Sequence, residues 1–173
     1  MRRPVLYQDA LPTFAMVRAR STREHRATLL HYVGANGVEA YRQKTPKNAV
    51  KIAEILLEAG AAVDADLDYG ATGRRTYPER VGSTTLGMVA TSVHPAEAGV
   101  QLALMETLLD AGACVDGIPG GWNPLLAALH NGRGAAAELL ARRGARMDLE
   151  GAAGAGQLDL IKRYFKKDGS LGS

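Results

Sequence analysis

Acid–base chemistry near neutral pH would have to come from four histidines, His25, His31, His94 and His130. His94 or His130 could serve as a base with Asp66, Asp68 or Glu97 beside it, making a small-ligand or hydrolytic pocket. The spacing gives that chemistry little support. The sequence has no nucleophile elbow, no metal triad and no paired-carboxylate motif. His25 next to Glu24 and His94 before Pro95 have no companion at metal-ligand spacing, so neither metal nor cofactor is expected. The run Gly151-Ala152-Ala153-Gly154-Ala155-Gly156 is glycine-rich enough to suggest a phosphate cradle. It lacks the G-x-G-x-x-G order and the Lys-Ser/Thr that follows a P-loop. Adhesion is the other chemistry on offer. Tyr69, Arg74, Arg75, Tyr77 and Trp122 are of the types that bury area or form charged hydrogen bonds at protein interfaces.

The elements that must carry these side chains repeat. Thr28-Leu29-Leu30-His31 leads to Asn36-Gly37, Thr84-Thr85-Leu86 to Ser92-Val93, Asn123-Pro124-Leu125 to Asn131-Gly132, and Met147-Asp148-Leu149 to Ala155-Gly156. Each phrase steps 9 positions from first residue to last. A spacing held while its surroundings stretch marks a packed module. Gly34, Ala90, Ala128 and Ala153 are small residues within these phrases, where neighbouring helices would approach. A second phrase closes each unit: Leu56-Leu57-Glu58-Ala59-Gly60-Ala61, Leu108-Leu109-Asp110-Ala111-Gly112-Ala113, and Leu139-Leu140-Ala141-Arg142-Arg143-Gly144-Ala145. Glycine after a run of helix formers suits a left-handed cap. Apolar stripes recur at Ile52/Ile55/Leu56, Leu104/Leu108 and Leu160/Ile161/Tyr164/Phe165, one face per helix. No unit covers its own stripe, so the units are expected to stack.

In its T-P-L-H-like openings and L-L-x-x-G-A closings the chain resembles ankyrin-repeat proteins, over about residues 17–166. The resemblance implies an all-α fold, an ankyrin-repeat solenoid of stacked helix-turn-helix units with short or irregular β-hairpin fingers. The expected plan is an N-terminal segment, 1–16, then a repeat domain, 17–173, with repeats at about 28–83, 84–122, 123–146 and 147–169. By the same resemblance His31 braces the backbone, and His130 and Asn131 face the concave surface. The implied function is a binding scaffold without catalysis, a protein partner lying across the finger tips and the concave face. The residues expected to contact it are Arg23, His25, Tyr69, Arg74, Arg75, Tyr77, Ile118, Trp122, His130 and Asn131.

Departures from a plain repeat are local. Gly132 to Gly144 spans 12 positions, whereas Gly37 to Gly60 spans 23 and Val93 to Gly112 spans 19. The extra stretches hold Lys44-Thr45-Pro46-Lys47 and Val93-His94-Pro95-Ala96, each with a proline where a new helix can begin. Gly60 to Thr84 spans 24, against 11 from Gly112 to Asn123, so the first finger is long, polar and tyrosine-bearing.

At 173 residues the chain suffices for about four enlarged repeats but not for two independent cores. Net charge is +3, with Arg18, Arg20, Arg23 and Arg26 at one end and Lys162, Arg163, Lys166 and Lys167 at the other. Neither cluster is interleaved with stacking aromatics, so nucleic acid is not an expected partner. The single cysteine, Cys114, argues for a reducing setting, and no run approaches a membrane span. The expected location is cytoplasmic, and the Ala/Arg/Gly usage suggests a bacterial source. Val17-Arg18-Ala19-Arg20 reads as the end of a finger, and Leu160, Ile161 and Phe165 on the last helix have nothing after them to cover them. The expectation is a piece of a longer array, or self-association through uncapped terminal repeats.

Overall fold

Short polar side chains start several of the helices. Asn123 Oδ1 accepts the N–H groups of Leu125 and Leu126 at 2.9 and 3.1 Å. Thr84 Oγ1 accepts from Gly87 N–H at 3.3 Å, and Asp148 Oδ1 from Gly151 N–H at 2.8 Å. Each satisfies a donor the helix itself leaves orphaned, worth about 1 kcal/mol. The computed structural model describes residues 14–22, 26–34, 44–67 and 83–172. Among them the chain is all-α, with isolated bridges only at Asp66–Thr84 and Phe165–Leu171. The helices are α1 (Phe14–Arg18), α2 (Leu29–Val33), α3 (Ala49–Glu58), α4 (Thr85–Thr91), α5 (Val93–Glu97), α6 (Gln101–Asp110), α7 (Pro124–His130), α8 (Gly134–Arg142), α9 (Leu149–Gly154) and α10 (Leu158–Tyr164).

One hydrogen-bond pattern ends six of these helices. Gly60, Gly99, Gly112, Gly132, Gly144 and Gly156 all have positive φ. In each case the glycine N–H bonds the carbonyl three residues back, and the next N–H the carbonyl five back. Only glycine takes this left-handed turn without strain. The turns at Gly99, Gly132 and Gly156 reverse the chain within a pair, so α4 packs on α6, α7 on α8 and α9 on α10, and α2 packs on α3 likewise. The pairs then touch side by side, α2–α4–α7–α9 in one row and α3–α6–α8 in the other. Leu30, Leu86 and Leu125, each the second residue of its helix, are fully buried with Leu104, Met105, Leu108 and Leu140. At about 1.5–3 kcal/mol per buried Leu or Met, these seats between rows carry much of the stability.

Several expectations need correcting. Val93 is not the counterpart of Gly132: Ser92 caps a one-turn helix, α5, and the left-handed turn comes at Gly99. Most of the second insertion therefore lengthens the first half of its unit. Gln101 repairs the junction, its Nε2 donating to the carbonyls of Val89, Ala90 and Ser92 at 2.8, 3.3 and 3.2 Å. In the fourth unit the cap is Asp148 rather than Met147, because only the carboxylate can accept Gly151 N–H. Leu149 is then the first helical residue and only half-buried, unlike its three supposed equivalents. Ala152, not Ala153, is the small residue packed inside. Val17 and Arg18 belong to helix α1 rather than to a finger; Val17 is buried, and Arg18 Nε donates to Gly60 O at 2.8 Å. Gly151-Ala152-Ala153-Gly154 is helical, forming most of α9 (Leu149–Gly154).

The loops after the second helices are tied to one another by a device the sequence reading missed. Asp64 accepts Cys114 N–H at 3.0 and 3.1 Å with its two carboxylate oxygens. Asp116 accepts Arg146 N–H at 2.7 Å and Arg146 Nε at 2.8 Å. Both aspartates stand four residues after a capping glycine, and both receive the residue two after the next one. The phrase Gly-Ala-x-Val-Asp at 60–64 and 112–116 was the available signal.

Candidate functional site

A cleft of about 200 Å³ opens between α4, α7 and the loop joining α6 to α7. Its floor is one face of each helix, Thr84, Gly87 and Thr91 at the start of and along α4, and Pro124, Ala127 and Asn131 along α7. The helical spacing i, i+3, i+7 puts each trio on a single stripe. The wall is the loop, with Gly117, Ile118, Gly121 and Trp122. Two tight turns shape it, Gly117 N–H bonding Cys114 O and Gly121 N–H bonding Ile118 O, each at 2.9 Å. Gly117 is required twice over: its φ is +75°, and a Cβ there would lie 2.7 Å from Trp122 O. The loop thereby presents the Trp122 indole, 47% exposed, at the rim. No ionisable side chain lines the cleft among the described residues.

Gly87 sets this part of the cleft floor apart from the first helix pair. The third residue after the cap at Thr28 is His31; after the cap at Thr84 it is Gly87. His31 is buried against the loop that follows its own helix pair. Its Nδ1 accepts Thr28 N–H at 3.1 Å and lies 2.8 Å from Thr28 Oγ1. Burial lowers the imidazole pKa below its ordinary 6.5, with the backbone at Ser83 and Ala65 acting the other way. The ring is thus a neutral brace, which matches the structural role the sequence suggested for it. Gly87 faces the corresponding loop with no side chain at all. A Cβ there would meet Thr84 Oγ1 at 3.7 Å and Ser83 Cβ at 3.9 Å, ordinary contact, so neither conformation nor crowding demands glycine.

Of the ten residues singled out for binding, Ile118, Trp122 and Asn131 come together in the cleft. Asn131 also donates its side-chain N–H to Ala127 O at 2.8 Å, which fixes its orientation. His130 is exposed at the end of α7 and does not line the cleft. Arg23, His25, Tyr69, Arg74, Arg75 and Tyr77, with Asp68, lie outside the described residues. Leu67 and Ser83, which flank residues 68–82, are joined by a 3.1 Å backbone bond, and Ser83 lines the cleft. The sequence reading missed Thr84, Gly87, Thr91, Pro124 and Ala127; their shared helical stripe was the signal.

None of the described groups considered for catalysis, Asp66, His94, Glu97 and His130, lines the cleft. Asp66 pairs with Arg20 at 3.1 Å, and Arg20 also donates to Asp66 O at 2.7 Å. His94 sits on α5, where Ser92 Oγ accepts its backbone N–H at 3.3 Å. The exposed thiol of Cys114 is pushed up in pKa by the adjacent Asp64 carboxylate, so it stays protonated and is a poor nucleophile. Among the described residues no cluster of His, Cys, Asp and Glu could hold a metal ion, and no helix is long and apolar enough to cross a membrane. Compared with protein-family models, curated proteins and solved structures, the chain matches none.

Proposed function

We propose that the chain is an ankyrin-type repeat scaffold whose cleft at Gly87, Ile118, Trp122 and Asn131 grips a segment of a protein partner. Two rows of helices, six of the helices ended by one glycine turn and the loops tied by Asp64 and Asp116, support the architectural half. Size supports the functional half. Small-molecule and cofactor sites run to about 300–1,000 Å³, and this cleft of about 200 Å³ suits one or two side chains. Its lining of hydroxyls, an amide, glycines and a half-exposed indole has the interface composition that anchors a side chain, and its described residues include no acid or base. The cytoplasm remains the proposed setting, on the single unpaired cysteine.

Selection of peptides from a displayed library on the intact chain tests this reading, with the chain's one tryptophan as a fluorescence reporter. Binders are expected to shift Trp122 emission. They should lose at least tenfold in affinity on Trp122→Ala, and nothing on His130→Ala, outside the cleft. Binders equally indifferent to both substitutions would move the site elsewhere.

A further inference from the structure

We propose that the side chain this cleft receives, if the scaffold reading above holds, is a partner's histidine in its neutral form. The argument is the equivalence of two seats. In the first helix pair the seat after the cap is filled from within: His31 packs under the following loop, and its Nδ1 takes hydrogen bonds from Thr28 N–H and the Thr28 hydroxyl. In the second pair the cap is again threonine, Thr84, 4% exposed, but Gly87 leaves the seat vacant and Gly117–Trp122 roofs it. Thr84 Oγ1 accepts Gly87 N–H and so keeps its own hydroxyl hydrogen to give, and no described residue takes it. A buried hydroxyl hydrogen without an acceptor is a cost that a ligand nitrogen would relieve. The occupant must therefore be a ring of about imidazole size, carry an acceptor and be uncharged, since the described residues of the lining include no carboxylate to pair with a cation. Neutral imidazole meets all three conditions. Toluene has no acceptor at all, and a phenol carries its acceptor outside the ring rather than in it, unlike the His31 imidazole.

Titration of the full chain with 4-methylimidazole at pH 8.5, followed by amide and indole N–H chemical shifts, tests the assignment, with p-cresol and toluene as parallel probes. Saturable shifts at Gly87, Ile118 and Trp122 are expected for 4-methylimidazole, at least fivefold tighter than for either other ring. Those shifts should vanish at pH 5, where the probe is a cation, and in Gly87→His, which fills the seat from within. Gly87→Leu is the second blocking variant should Gly87→His fold poorly. Equal or tighter binding of toluene or p-cresol, binding retained at pH 5 or in a correctly folded blocked variant, or no saturable shift with any probe, overturns it. Selected peptides that depend on Trp122 yet carry no histidine would also overturn the histidine while leaving the scaffold reading intact.

Discussion

Under the first loop a histidine fills the space its helix leaves; under the second, a glycine at the same helical position leaves that space open. Both seats share a threonine cap, a fully buried leucine one residue earlier, and a following loop that closes over them. The difference is therefore one side chain, not a change of architecture. It teaches that this fold can exchange a structural brace for a cavity without disturbing its rows. Gly87 is in an ordinary helical conformation with room for a Cβ, and glycine inside a helix costs about 0.5–1 kcal/mol relative to alanine. Stability alone would not keep it.

Emptying the filled seat should have the largest effect. His31→Ala removes a buried ring and strands Thr28 N–H and its hydroxyl, so unfolding free energy should fall by about 2–4 kcal/mol by denaturant titration. A loss below about 0.5 kcal/mol would mean the two seats are equally dispensable. Next comes Gln101→Ala, which deprives three buried carbonyls at the end of α4 of their donor. A loss of about 1–3 kcal/mol is expected, with hydrogen exchange accelerated around α4 and α5 before the rest of the chain. No local change in exchange would show that the clamp is ornamental.

The acid response follows from the sign of one shift. His31 in the folded chain has its pKa depressed below 6.5, so as pH falls through about 6.5 the unfolded chain binds a proton that the native one does not. Its contribution is complete above that value and declines in acid until the folded pKa is reached. The melting temperature should drop between pH 7 and pH 5, and by less in His31→Asn. Parallel curves would remove the buried neutral ring from the account. The smallest effect is expected for Gly87→Ala, a gain of about 0.5–1 kcal/mol in stability together with weaker binding of cleft ligands. A destabilised variant would mean that the open space is smaller than it looks.

The helix starts, the paired second helices and the turns at Gly60, Gly112 and Gly144 were legible because each is a local rule written in a few adjacent residues. The turn at Gly99 was not, since the phrase at Ser92-Val93 imitated the repeat's end while a one-turn helix displaced the real one by several residues. Thr28 and Thr84 read alike, but Asp148 against Met147 required knowing which side chain meets Gly151 N–H. Trp122, Ile118 and Asn131 were legible as candidates by type and place. Their cleft was not, because a cavity is made by an absent side chain, and a glycine within a helical phrase reads as a weak helix former. The ties from Asp64 and Asp116 join residues 50 and 30 positions apart; the repeated Gly-Ala-x-Val-Asp marks the two aspartates but not the residues they reach.

The most direct measurement is the affinity of a library-selected peptide for Gly87→His beside the unaltered chain, read by Trp122 fluorescence, with the melting temperature taken on the same samples. A vacant counterpart of the His31 seat requires that filling it weaken the peptide at least tenfold while the melting temperature holds or rises. Unchanged affinity in a variant that melts no lower would contradict the account.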